Sequence, residues 1–216
     1  MIKKIIVVLM FVLFSSSLYS MDIDLGGKMG IGIGWWRGDT YSKNVDVVGE
    51  VNATFGGYTS LNLHKYVAMQ FELLFAAVSN ADKIEGKDFE FQTTYRAFAF
   101  EVPVYIKPKY KVGPGEMFLL FGPRFLLLLT DFKVDTETRI GYNPTIHKPE
   151  NDFSVRRQFH LGLTFGFGYE LELGPGKLQM SLHITPYLTD YGKTCRKAIQ
   201  NEAYFDAGYA FTFDLK

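Results

Sequence analysis

The stretch VRRQFHLGLTFGFGYELEL, residues 155–173, alternates apolar side chains with polar or small ones along its length, with Arg157 as the one break. Phe159, Leu161, Leu163, Phe165, Phe167, Tyr169, Leu171 and Leu173 share one parity, and Gln158, His160, Gly162, Thr164, Gly166, Gly168, Glu170 and Glu172 the other. Successive side chains of a β-strand point to opposite faces, so a strict period of two describes a strand with one apolar and one polar side. Ordinary strands run about five or six residues, whereas a tilted strand needs about nine to eleven to cross a bilayer. The length of this alternation predicts a membrane-spanning β-barrel.

The N-terminus supports export. Lys3 and Lys4 precede an apolar run from Ile5 to Phe14 and then Ser15, Ser16 and Ser17, the layout of a secretory signal peptide over residues 1–20. Removing it leaves about 195 residues, suited to one domain over 21–216. No later segment is apolar for long enough to cross as a helix; Met117–Leu129 is interrupted by Gly122, Pro123 and Arg124. With 23 basic and 23 acidic residues there is no positive field for nucleic acid. The single cysteine, Cys195, has no partner for an internal disulfide.

Period two recurs in eight candidate strands: 23–36, 47–63, 67–78, 91–107, 117–130, 155–173, 178–189 and 202–215. The fold class expected is an eight-stranded antiparallel up-and-down transmembrane β-barrel. Short turns near His64–Tyr66, Val112–Glu116 and Gly174–Lys177 alternate with longer polar connections at 37–46, 79–90, 131–154 and 190–201. Short periplasmic turns and long external loops are the habit of outer-membrane barrels, with both termini periplasmic. A soluble lipocalin-like carrier would share the strand number with reversed facing. Charge on the polar parity argues for a packed polar lumen: Glu50, Glu72, Arg96, Glu101, Arg124, Glu170 and Asp206, joined by His160 and His183. Tyr66, Tyr105 and Tyr169 near the short turns, and Trp35, Trp36, Tyr187 and Tyr191 near the loops, are expected to form aromatic girdles.

The segment FEVPVYIK, residues 100–107, followed by a turn and FLLFGPRFLLLL from Phe118, resembles the PorT-like family of small outer-membrane barrels. Glu101, Val102, Pro103 and Lys107 match its first pattern, and Gly122 and Pro123 its second. LGLTFGFGYELEL with the following GPGK turn is similar to its sixth and seventh strands. The resemblance implies a barrel of the general OmpA and OmpX kind, in the outer membrane of a diderm bacterium. It carries over no catalytic residues.

The glycines between Gly26 and Gly34 continue a strand alternation into Trp35 and do not open a helix, so they ease crowding inside a narrow barrel rather than bind phosphate. His160, His183 and Glu170 lack a third ligand at fixed spacing, which favours lumen packing over a metal site. No catalytic site, metal or cofactor is expected. An eight-stranded barrel is just filled by side chains, so its inner charges must pair. Centring the fourth turn near Val112 and Gly113 places Glu101 opposite Arg124 as a lumen ion pair. The functional expectation is a non-enzymatic barrel acting through its surface loops, 131–154 and 190–201, or through membrane integrity. Its partners would be outer-membrane lipid, the barrel-assembly machinery during insertion and an extracellular ligand. The competing transport reading is a narrow conduit for small or hydrophobic solutes with a lateral gap marked by Pro123 or Pro186, each of which lacks a ladder donor.

Overall fold

The computed structural model describes residues 21–37, 45–85, 89–140, 143–147, 158–190 and 199–215. The expected signal peptide, together with Tyr191 and Cys195, lies outside the described residues. The described residues form eleven strands: β1 (Met21–Arg37), β2 (Val45–Val48), β3 (Glu50–His64), β4 (Val67–Glu85), β5 (Phe89–Val112), β6 (Gly115–Leu128), β7 (Lys133–Ile140), β8 (Asn143–His147), β9 (Phe159–Leu173), β10 (Gly176–Pro186) and β11 (Ile199–Leu215).

β1, β3, β4, β5, β6, β9, β10 and β11 hydrogen-bond in that order, and β11 returns to β1, closing a ring of eight staves. Every pairing is antiparallel between consecutive staves, the up-and-down arrangement expected. The ring is apolar outside: Met29, Ile31, Val51, Leu73, Leu119 and Phe167 are all about half exposed or more. Inside are Lys28, Glu72, Glu101, Lys107, Arg124 and Glu202, all buried. This is a soluble protein turned inside out, and so large a contiguous apolar surface needs a partner as apolar as a bilayer. In β6, apolar on both parities in the sequence, the even-numbered residues Phe118, Leu120, Leu126 and Leu128 face inward.

Two of the short turns are built alike, on Gly-Pro-Gly. Val112 pairs with Gly115 and Leu173 with Gly176, leaving two-residue loops whose first residues, Gly113 and Gly174, take φ of 62° and 61°. Only glycine adopts that φ readily, and hairpins with two-residue loops use it. The hydroxyl of Tyr169 donates to Val112 O at 2.9 Å, and that of Tyr209 to Leu173 O at 2.8 Å, so each turn is tied to a neighbouring strand.

Three expectations are corrected. The hairpin between β5 and β6 is centred on Gly113 and Pro114, one residue later than expected, so Pro103 stands opposite Arg124 and Glu101 opposite Leu126. Secondly, residues 79–90 are not simply a loop: β4 and β5, at 19 and 24 residues, run far past the length a bilayer needs. β2 adds to the extension of β4, and the hairpin β7–β8 adds to that of β5. The stretch expected to be the longest loop thus begins as sheet. Alternation fades there because neither face of an extramembrane sheet meets lipid. Thirdly, the second expected strand breaks at Gly49 into β2 and β3; both pair with β4, but only β3 also pairs with β1.

Candidate lumen site

Parity fixes which side chains enter the lumen, and the ring then decides which of them meet. Arg124 on β6 donates from Nε to Glu101 Oε2 at 3.0 Å, and its Nη2 bonds the same oxygen. Its Nη1 lies 2.7 Å from His183 Nε2 on β10. A guanidinium only donates, so this nitrogen of His183 accepts and the ring proton is assigned to Nδ1. That atom faces Asp206 Oδ2 on β11 at 3.1 Å, and the same carboxylate oxygen is 2.9 Å from Lys28 Nζ on β1. Lys28 donates onward to both oxygens of Glu72 on β4, at 2.9 and 3.1 Å. Gln70 donates from Nε2 to Glu72 Oε1 at 2.6 Å, and its Oε1 accepts from Lys107 Nζ at 3.0 Å. Lys107 closes the series on Glu170 and on Gln179 Oε1, the latter at 3.0 Å. One continuous run of polar contacts therefore links β4, β5, β6, β9, β10, β11 and β1.

Two smaller clusters flank this run. Asp24 gathers Lys177 at 3.0 Å, Asn62 at 3.0 Å and Thr212 at 2.7 Å near the short-turn end. Toward the loop end Glu202 accepts from Tyr187 OH at 3.1 Å, Gln200 at 2.7 Å and Asn52 at 3.4 Å. Above Glu202 the lumen turns apolar. Trp36 meets Phe132 and Tyr95 edge to face, with centroids 5.9 and 6.2 Å away, and packs with Val78, Leu126 and Leu128. A second apolar layer, Tyr105, Phe118 and Leu120, lies between β5 and β6 closer to the turns.

The structure distributes the expected residues as follows. Glu101, Arg124, Glu72, Glu170, His183 and Asp206 meet in the central run. His160 is buried but goes elsewhere, its Nδ1 3.0 Å from Thr189 Oγ1, so the two lumen histidines do not converge. Glu50 is half-buried at the rim and accepts from Gln92 at 3.3 Å. Arg96 is a correction. Its even number gives it the outward parity of Phe98 and Phe100, and its side chain, 62% exposed, reaches Asp135 at 3.1 Å. Trp36, Tyr105 and Tyr187 are corrections too: all three are buried inside, not in a girdle, because each holds the inward parity of its strand. Tyr66 is exposed, and Tyr169 and Trp35 are partly exposed. Lys28, Lys107, Asp24 and Glu202 are site residues absent from the expected lumen set, although their parity already pointed them inward.

Buried charges cost several kcal/mol each unless paired and hydrogen-bonded. Here the pairing crosses the lumen, joining staves that are not neighbours, such as β1 to β4 through Lys28 and Glu72. The arrangement is a set of braces across a filled barrel. Among the described residues no group of three or more His, Cys, Asp or Glu is placed to hold a metal ion.

A closed antiparallel ring, lipid-compatible outside and braced by charge inside, defines an integral membrane β-barrel. The chain belongs to the outer membrane protein beta-barrel domain family, whose family model matches residues 16–191. No curated protein sequence gives a match. Among solved structures it is similar to the outer membrane protein OprG from Pseudomonas aeruginosa, at 11% identity and a TM-score of 0.46, covering 90% of this chain and 95% of that one. It is also similar to Neisserial surface protein A, at 12% identity and a TM-score of 0.42, covering 88% and 97%. Ail, the attachment invasion locus protein of Yersinia pestis, gives 10% identity and a TM-score of 0.33, covering 88% and 98%. Family membership rests on the family model.

Proposed function

We propose that this outer-membrane barrel is a non-enzymatic, closed structure that works through the sheet raised at its loop end. The observation that carries the reading is the braced lumen: charged and polar side chains from seven staves meet in its middle and an aromatic layer covers them. What remains available is the outside. β4 and β5 extend past the ring on one end only, flanked by β2 and by the β7–β8 hairpin, and long or extended segments in compact folds are commonly the functional ones. In this reading residues 131–154 and 190–201 contact an extracellular ligand. Both termini and the two Gly-Pro-Gly turns lie in the periplasm, and the barrel-assembly machinery inserts the chain. Within the outer-membrane barrel family, the FEVPVYIK segment favours a PorT-like relationship.

Protease treatment of intact cells tests the topology. Cleavage is expected within 131–154 and 190–201, with Gly113–Pro114 and Gly174–Pro175 protected until the outer membrane is permeabilised. Cleavage at either turn in intact cells would invert the orientation and remove the basis of the reading.

A further inference from the structure

The seam between β5 and β6 is the most interrupted of the ring; β4 and β5 miss only the two pairs between Phe71↔Val104 and Leu74↔Glu101. Leu129 N donates to Phe98 O at 2.8 Å, whereas Lys109 N donates to Tyr66 O at 2.8 Å, so even-numbered residues of β5 turn their backbone polar groups toward β6 and odd-numbered ones toward β4. On β6 the odd-numbered residues face β5, since Leu128 N turns the other way to Gln158 O. Pro108 and Pro123 therefore both withhold an N–H from this one seam. Between Pro103↔Arg124 and Lys109↔Phe118 the ladder keeps a single pair, Ile106↔Phe121. By contrast β1 and β11 pair without a break from Met21↔Leu215 to Arg37↔Ile199. Pro186 leaves a smaller lapse between β9 and β10, spanned by the hydroxyls of Thr164 and Thr185 at 2.8 Å and by Leu188 N on Leu161 O at 2.7 Å.

The weak stretch is pinned at both ends by charge. Glu101 and Arg124 join β5 to β6 on the loop side, and Lys109 Nζ meets Glu116 Oε2 at 2.9 Å on the turn side. Between the pins the lipid face of the seam is apolar, and the lumen face is apolar but for Lys107, whose ammonium lies 4.3 Å from the Phe118 ring centroid and pairs with Glu170. Ile106, Leu119 and Phe121 are exposed on the lipid side, while Tyr105, Phe118 and Leu120 form the buried layer on the lumen side.

We propose that this stretch of the β5–β6 seam is a lateral slit that admits one long alkyl chain of a membrane amphiphile into contact with Tyr105, Phe118 and Leu120. The chemistry selects the alkyl chain of an amphiphile: it meets aliphatic and aromatic groups on the lipid side and Tyr105, Phe118 and Leu120 on the lumen side, beside the single ammonium of Lys107, and crosses few backbone hydrogen bonds. The pins confine the opening to the length between them, so the Glu101–Arg124 brace above it need not part, and Lys107 stays held by Glu170 and Gln179. The slit is independent of what the loop-end sheet binds.

The test is photolabelling of the full-length barrel in phosphatidylcholine vesicles with a palmitic acid analogue carrying a diazirine at its chain end, with sites read by mass spectrometry. Wild type is expected to label at Tyr105, Phe118 or Leu120 as well as at outward residues such as Phe205. Pro108→Thr with Pro123→Thr supplies two donors, and the lumen-side labelling should fall about tenfold while that of Phe205 stays. Leu120→Trp, which fills the layer without touching the ladder, should also suppress labelling of Tyr105 and Phe118. Absence of lumen-side labelling in wild type would overturn the slit. So would labelling undiminished in the proline double variant, or, if that variant does not fold, undiminished in Leu120→Trp.

Discussion

Arg124 shows how a residue's worth here depends on which way its parity points it. Buried, and shared among Glu101, His183 and the face of the Tyr204 ring 5.0 Å away, it leaves an uncompensated carboxylate if removed. Arg124→Ala should cost about 3–5 kcal/mol of barrel stability, the usual penalty for breaking a buried pair. Arg96→Ala, which breaks an exposed pair with Asp135, should cost under about 1 kcal/mol. The shift of the heat-induced mobility change in detergent gels compares the two, and equal shifts would contradict the assignment of their faces. At the turns, Tyr169→Phe and Tyr209→Phe should each lose about 0.5–1.5 kcal/mol in thermal unfolding, since each removes one hydrogen bond to a turn carbonyl. Parity made most of the site legible at this scale, because it is a property of one strand alone. It also identified Trp36, Tyr105 and Tyr187 as inward, against their expected place in a girdle. Pairing was less legible: Glu101 and Arg124 sit on adjacent strands within reach of a hairpin rule, whereas Lys28 and Glu72 meet across β3 and depend on the closure of the whole ring.

The strands were legible where both of their faces had distinct surroundings and lost legibility where they did not. β9, β10 and β11 follow the alternation closely because lipid and packed lumen select opposite side chains at every step. β4 and β5 continue for many residues into solvent, where Lys83, Glu90, Gln92 and Thr93 carry no such contrast, and so the sequence there looks like loop. The same logic separates the ring from its extension. The ladder of β5 with β6 begins at Ala99↔Leu128, whereas its ladder with β7 occupies Phe89–Arg96. Replacing residues 133–147 with a short glycine linker should therefore leave heat-modifiable, protease-resistant barrel in vesicles, retaining Phe132 and the layer around Trp36. Loss of the folded form in gels would mean that the β7–β8 hairpin is part of the ring's stability and not an appendage.

For the whole molecule, the decisive quantity is how completely eight staves are filled. A ring of this strand number encloses just enough space for its own side chains, and here several of them are large: Arg124, Tyr105, Tyr187, Tyr204, Lys107 and Phe118 are all essentially inaccessible. Ion passage would have to part the central run, where Lys28 is held by both Glu72 and Asp206, and then displace Trp36 from Phe132. Breaking one such buried pair costs about 3–5 kcal/mol, which alone holds the open population below about one in a hundred. Reconstituted in planar bilayers at neutral pH, the wild-type chain should show no discrete conductance steps, with or without the residues of the β7–β8 hairpin. Removing two braces at once, with Arg124→Ala and Lys28→Ala, should produce brief, small openings or unfold the barrel. Frequent steps from wild type would show that the side chains crossing the lumen move aside readily, and the loop-end sheet would then lose its claim to be where the protein acts.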